Sequence, residues 1–236
     1  MNFDISQFKK EGYLVVKNFL NKEEHDELNL TCNTLTRYAK TISAHTQDNW
    51  LMNAPYNPMM LQGAMKENEI FKKLGRNPKL LKVARILLRT NHLSTYISKF
   101  FPMVPYEGAS VSWHQDNYYI QGHPDKLVSC DVFVNGATKK NGCLRIVRGS
   151  HKHGIFNHDI QSHQEWIKWI NISPKLDIID LELEEPFAVF FHPNLIHGCY
   201  KNKSQDYRYS VAWEYMMWPY IPQSHNDHIS NDLLQV

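Results

Sequence analysis

What this chain lacks narrows its class before any motif is read. Its 236 residues include only four cysteines, Cys32, Cys130, Cys143 and Cys199. They form no C-x-x-C pair and no zinc-ligand spacing, so they read as free thiols in a reducing compartment. No apolar run approaches spanning length; one of the longest is Phe187 to Phe191. The start, Met1-Asn2-Phe3-Asp4-Ile5, lacks a basic stretch followed by an apolar one, so no signal peptide is expected. Charge of one sign is scarce as well: 26 basic residues meet 24 acidic ones, and nothing calls for nucleic acid. Repeats, low-complexity runs and an interdomain linker are missing too. The expectation is a cytoplasmic protein without a membrane span, acting on a small molecule, with its oligomeric state left open. A 42% hydrophobic, 12% aromatic chain of this length suits one globular domain with a sizeable core.

The first part of the chain reads as helical. Residues 5–11 suggest a short helix ending near Gly12, followed by a strand at Tyr13–Val16. Asn21 and Glu24 resemble a capping box. Leu28, Cys32, Leu35 and Ala39 then recur at helical spacing, predicting a helix over 22–40. Residues 41–66 lose the pattern. Their Trp50, Met52, Pro55, Tyr56, Pro58, Met59 and Met60 fit either a functional loop or a loop packed on the core. Pro78 opens another helix to about Arg89, in a basic stretch that begins at Lys72. That stretch reads as a solvated face, or as a docking surface for an anionic partner or membrane. From residue 94 the texture is of short β-branched and aromatic runs: Ser94–Phe101, Ala109–Trp113, Val128–Val134, Leu144–Val147, Ile178–Leu181, Ala188–Phe191 and Arg208–Tyr215. Residues 152–175 look like an insertion with a short helix near Gln164–Ile170, and the tail after Pro222 is polar. Many short strands after helices suggest a barrel or sandwich with helices outside.

The chemistry concentrates in Trp113-His114-Gln115-Asp116. On an extended strand His114 and Asp116 share a face. One further histidine would give two imidazoles and a carboxylate on one side of a metal, a set suited to non-haem Fe(II) oxygenases. With 13 histidines, abundance alone names no ligand. Three later blocks bear on the choice. Asn141-Gly142-Cys143-Leu144 runs on to Gly149-Ser150-His151; Phe191-His192-Pro193-Asn194-Leu195-Ile196-His197-Gly198 ends a strand; Arg208-Tyr209-Ser210 opens the next.

Taken in order, the His-x-Asp block, the Asn-Gly-x-Leu to Gly-Ser-His block, the distal His-Gly and the later Arg resemble the phytanoyl-CoA dioxygenase family of Fe(II)- and 2-oxoglutarate-dependent oxygenases. The opening Phe8 to Val16 resembles that family's start. The resemblance implies a mainly β fold, a double-stranded β-helix (jelly-roll, cupin-like) core with N-terminal helices packed outside. It implies one dioxygenase domain over 1–236, with a helical part about 1–92, a core about 93–218 and a polar tail 219–236. It makes His114, Asp116 and His197 the iron ligands and catalytic set. His192 competes for the distal place; the Gly after His197 and the spacing to Arg208 favour His197. His151 would close a turn. The implied cofactors are Fe(II), 2-oxoglutarate and O2, with release of succinate and CO2.

Arg208 would then meet the far carboxylate of 2-oxoglutarate with two parallel hydrogen bonds. Ser210 shares its face, and Lys99 matches a cosubstrate-contacting lysine of some members. Trp50, Asn117, Tyr118 and Tyr119 are candidate substrate residues by position. Two departures stand out: Arg148 replaces the usual Pro before Gly-Ser-His, and Asp131 sits where many members carry a bulky apolar residue. The reading is a hydroxylase of a small metabolite or natural-product intermediate. The same chemistry on an acyl-CoA or lipid, or a desaturation, cyclisation or epimerisation outcome, stays open. Asp116 argues against a halogenase, Arg208 against a zinc hydrolase, and the complete set against a non-catalytic jelly-roll binding protein.

Overall fold

The structure, a computed structural model, describes residues 4–161, 168–222 and 234–236. Asp4 caps helix α1 (Ile5–Glu11) by accepting from the Ser6 and Gln7 amides, and Gly12 ends it in the left-handed region at φ 89°. Strand β1 (Tyr13–Lys17) follows. The capping box forms as the sequence suggests, with Asn21 and Glu24 bonding each other's amides at the start of α2 (Lys22–Ala39). Leu28, Cys32 and Ala39 of the expected face are buried.

The segment 41–66 is not irregular. It holds β2 (Thr46–Gln47), β3 (Trp50–Ala54) and β4 (Asn57–Gln62), a meander that extends the main sheet beyond β5. Its residues lack strand propensity, and pairing of Leu61 with Phe100 and Gln62 with Lys99 supplies what local sequence does not. Three helices follow: α3 (Ala64–Glu67), α4 (Glu69–Gly75) and α5 (Pro78–Leu88), the last with Pro at its first turn and Asn77 as cap.

The remaining elements are β5 (Leu93–Met103), β6 (Val111–His114), α6 (Asp116–Ile120), β7 (Leu127–Phe133), β8 (Leu144–Val147), β9 (Ile160–Gln161), β10 (Lys168–Trp169), β11 (Ile178–Leu181), β12 (Phe187–Phe191), β13 (His197–Cys199), β14 (Arg208–Met217) and β15 (Leu234–Gln235). The expected helix near Gln164–Ile170 falls mainly on 162–167, outside the described residues; Lys168–Trp169 is strand. Of the tail, 223–233 lies outside the described residues, and Leu234–Gln235 pairs with β5.

The major sheet runs β1-β12-β7-β14-β5-β4-β3-β2, and the minor sheet runs β11-β8-β13-β6. Phe133, Phe187, Val189 and Phe191 of the first pack with Leu144, Ile146 and Leu181 of the second. On its outer face the major sheet sets Phe100, Val211, Trp213 and Tyr215 against the helical layer of Leu28, Cys32, Leu80 and Ala84. This two-sheet antiparallel arrangement is the expected jelly roll with helices outside. Among the described residues no helix is long and apolar enough to cross a membrane, and all four cysteines are free and buried.

One irregularity matters for the interior. Along β14, Ala212 faces Lys99 but Glu214 faces Tyr96, so β5 carries one extra residue. Ile97 in that bulge sits at φ 49°, a conformation a β-branched side chain rarely takes. The bulge changes the phase of β5, so Tyr96 before it and Lys99, Phe101 and Met103 after it all face inward.

Candidate active site

Both histidines of the site come from the minor sheet, in direct register: His197 lies opposite His114. Gly198 makes this pairing possible. A Cβ there would fall 2.6 Å from the Val111 carbonyl oxygen, which would drive β13 away from β6. The strand β6 ends at His114, yet Gln115 keeps an extended backbone (φ −126°, ψ 127°), so Asp116 still returns to the face of His114. Asp116 Oδ1 lies 3.6 Å from His114 Nε2 and 3.7 Å from His197 Nε2. Among the described residues, these three side chains form the one group able to hold a metal ion, with their donor atoms within 4.8 Å of one another.

Each donor is held by a partner behind it. His114 Nδ1 donates to the Ser112 carbonyl at 2.8 Å, and His197 Nδ1 to the Leu195 carbonyl at 2.9 Å. Those bonds place the protons on Nδ1 and leave both Nε2 lone pairs free. Burial lowers the His197 pKa to about 4, so the ring stays neutral at physiological pH. Burial works to raise the Asp116 carboxyl, but the two histidines and Lys99 outweigh it and hold it below the ordinary range. Asp116 Oδ2 accepts from Ser129 Oγ on the major sheet at 2.8 Å, leaving Oδ1 to the imidazoles. Ser129 was not singled out from sequence. The signal was a polar residue at the inward phase of β7.

Gln115, fully buried between His114 and Asp116, points the other way. Its amide donates to the Gly154 and Asn194 carbonyls at 2.8 and 2.6 Å and accepts from the Phe156 amide at 2.7 Å. Its backbone N–H donates to His158 Nε2 at 3.1 Å. One residue thus ties the chain segments before β9 and β13 to the end of β6.

Arg208 opens β14 on the inner face and is 3% exposed. Its Nη1 donates to Ser210 Oγ at 2.6 Å, its Nη2 approaches Met103 Sδ at 3.1 Å, and its guanidinium lies 5.1 Å from the Phe133 ring. Its Nε is buried without a partner. Among the described residues no carboxylate forms an ion pair with it, and burial pushes its pKa below the ordinary value. Lys99 lies opposite Ala212 on the same face, with Asp131 on Ala212's other side. Burial, then Asp116, raise the Asp131 carboxyl to about 7 against the pull of Lys99 and Arg208.

The other sequence candidates divide. Tyr119 stands with its ring 6.1 Å from His114 and 37% exposed, at the rim. Tyr118 stacks on His158 at 3.9 Å. Asn117 is a structural residue: it is buried, donates to Asn194 Oδ1 at 2.8 Å and accepts from the Gly122 amide. Trp50 is a correction. It is buried edge-on to Phe100, 6.0 Å between centroids, on the outer face of the major sheet and away from the histidines. Its aromatic bulk marked a core position, because β3 and β4 were not foreseen. His192 turns toward His151 at 5.0 Å and accepts from the Asn194 amide. His151 itself packs over Gly12.

Comparison with known proteins agrees with this geometry. The family profile described as Phytanoyl-CoA dioxygenase (PhyH) matches residues 8–210. Peroxisomal phytanoyl-CoA dioxygenase of Mus musculus is 24% identical over 226 residues, covering 87% of this chain and 65% of that protein. The chain therefore spans about two thirds of that relative's length. Phytanoyl-CoA dioxygenase of Arabidopsis thaliana is 25% identical over 244 residues, 87% of this chain and 84% of that protein. Among solved structures, the epimerase SnoN in complex with Fe3+, alpha ketoglutarate and nogalamycin RO superposes with a TM-score of 0.74 at 15% identity. That match covers 95% of this chain and 86% of SnoN, and at such identity it shows the shared fold.

Proposed function

The chain belongs to the phytanoyl-CoA dioxygenase family, and from that premise we propose that it is an Fe(II)- and 2-oxoglutarate-dependent dioxygenase hydroxylating a small metabolite. One observation carries the reading. A two-histidine, one-carboxylate donor set and a buried guanidinium without a carboxylate partner line the same barrel interior. The donor chemistry fits iron: two imidazole Nε2 atoms and one carboxylate oxygen leave open positions for a chelating cosubstrate and for O2. When bound, Fe(II) and 2-oxoglutarate supply the oxidising chemistry, with succinate and CO2 as coproducts.

The protein's own residues would do the rest. His114, Asp116 and His197 would hold the metal. Ser129 would keep Asp116 bound through one oxygen. Arg208, oriented by Ser210, would take the far carboxylate of the cosubstrate, and Lys99 would add a positive charge along its length. Phe133 and Met103 surround that end with apolar atoms, which strengthens the charged contact by excluding water. Tyr119 would border the entrance.

The test is anaerobic. Adding Fe(II) and 2-oxoglutarate to the folded protein should give a visible metal-to-ligand charge-transfer band. A folded, iron-loaded sample without that band would refute the cosubstrate assignment.

A further inference from the structure

The barrel interior holds a carboxylate that the proposed iron and cosubstrate chemistry does not use. Glu214 lies on the inner face of β14, directly opposite Ser129, the residue that holds Asp116. It is 5% exposed, and its Oε2 is buried with no hydrogen-bond partner. Burial, together with the neighbouring Asp116 charge, pushes its carboxyl well above the ordinary range. Ser129 hydrogen-bonds the carboxyl group, yet a buried oxygen left without a partner is costly to keep, so Oε2 calls for a donor from outside the described chain.

Among the described residues no cation forms an ion pair with Glu214: the bulge at Ile97 sets Lys99 one row away, opposite Ala212. Tyr96, Leu127, Ile120 and Met216 form an apolar wall beside it, which suits the carbon frame of a small molecule and not a hydrated metal ion.

The geometry points to Glu214 as the recognition group for a protonated amine on the substrate, placed beside the metal-binding carboxylate. This deepens the proposed oxygenase reading and rests on it. An ammonium would donate to the unpartnered Oε2 and hold the Glu214 carboxyl in its ionised form. A hydrocarbon chain attached to it would lie along the Tyr96–Met216 wall.

The experiment uses the anaerobic Fe(II)- and 2-oxoglutarate-loaded protein and three probes of matched size: n-butylammonium chloride, sodium butyrate and 1-butanol. Butylammonium should bind by titration calorimetry and perturb the charge-transfer band, while butyrate and butanol at the same concentration should do neither. In Glu214→Gln, which keeps the shape and removes the charge, butylammonium should bind at least tenfold more weakly. The inference is overturned if butylammonium does not bind, if butyrate or butanol binds as well, or if Glu214→Gln keeps the parent affinity. Should Glu214→Gln not fold, the three-probe comparison on the parent decides. A parent protein that shows no band with 2-oxoglutarate alone fails the oxygenase reading itself, a different result from a band that amines leave untouched.

Discussion

Replacing Arg208 by Met offers the sharpest check on the proposed cosubstrate anchor. The parent side chain is a buried cation with one donor given to Ser210, one facing a thioether and one unpartnered. A cosubstrate carboxylate would complete it. Breaking such a buried pair by removing one partner costs about 3–5 kcal/mol, which is roughly two to four orders of magnitude in affinity. Titrating 2-oxoglutarate into the anaerobic Fe(II) protein should show a dissociation constant raised by that factor in Arg208→Met. Arg208→Lys should fall between, since it keeps the charge but loses the two-pronged geometry. Iron affinity without cosubstrate should hardly change. The same substitution should leave the cosubstrate-free protein as stable as the parent or more so, because it removes a buried cation that has no carboxylate partner there. If Arg208→Met binds 2-oxoglutarate like the parent, Arg208 is not the anchor and Lys99 is next in line.

Three further outcomes are expected. His114→Ala, Asp116→Ala and His197→Ala should each abolish turnover with the circular dichroism spectrum kept, whereas His192→Ala should still bind iron; the reverse pattern would move the distal ligand to His192. Ser129→Ala should weaken metal affinity roughly 10–100-fold, as loss of a partner behind a ligand does, measured by chelator competition. Burial holds both His192 and His197 at about 4 in the fold, below the ordinary 6.5; the unfolded chain therefore takes up protons first as pH falls. Their share of the metal-free protein's stability is full above pH 6.5 and is lost progressively toward pH 4, each histidine accounting for about 3 kcal/mol at most; the raised Asp131 and Glu214 carboxyls act in the opposite sense, so the check is a difference, and urea titrations should show the parent losing stability relative to His192→Asn between pH 6.5 and pH 4.

The strands that pair across the core were readable because their alternation is strong. Leu144–Val147 and Ile178–Leu181 fall where the sequence places them, and β7 and β14 start within a residue of it. His114 and Asp116 could be placed on one face from their spacing alone, whereas the choice of His197 came from the family resemblance, the glycine after it and its spacing to Arg208. What was missed depends on distant contacts. Trp50–Ala54 and Asn57–Gln62 contain Met, Asn and Pro and become strands by joining β5. The helix at Asp116–Ile120 is too short to show a period. Ser129 and Glu214 were hidden in plain alternation: each is polar at a phase its apolar neighbours leave inward, yet only the cross-strand register brings them together.

The direct pairing of His114 with His197 has a consequence for selectivity by length. Their separation is a main-chain dimension, fixed by neighbouring strands of one sheet and by the lack of room at Gly198. The span from those histidines to Arg208 is of another kind, because it crosses from the minor sheet to the major one. The filler between the two is side-chain volume: Phe191 against the His197 ring at 4.6 Å, and Phe133 stacked on Phe187 at 4.6 Å. Under the proposed assignment of Arg208 as anchor, changing those aromatics would alter the gauge between metal and anchor while the pairing of the two histidines kept its width. The acid length the barrel would accept would then be set by the thickness of its core, separately from the His114–Asp116–His197 set.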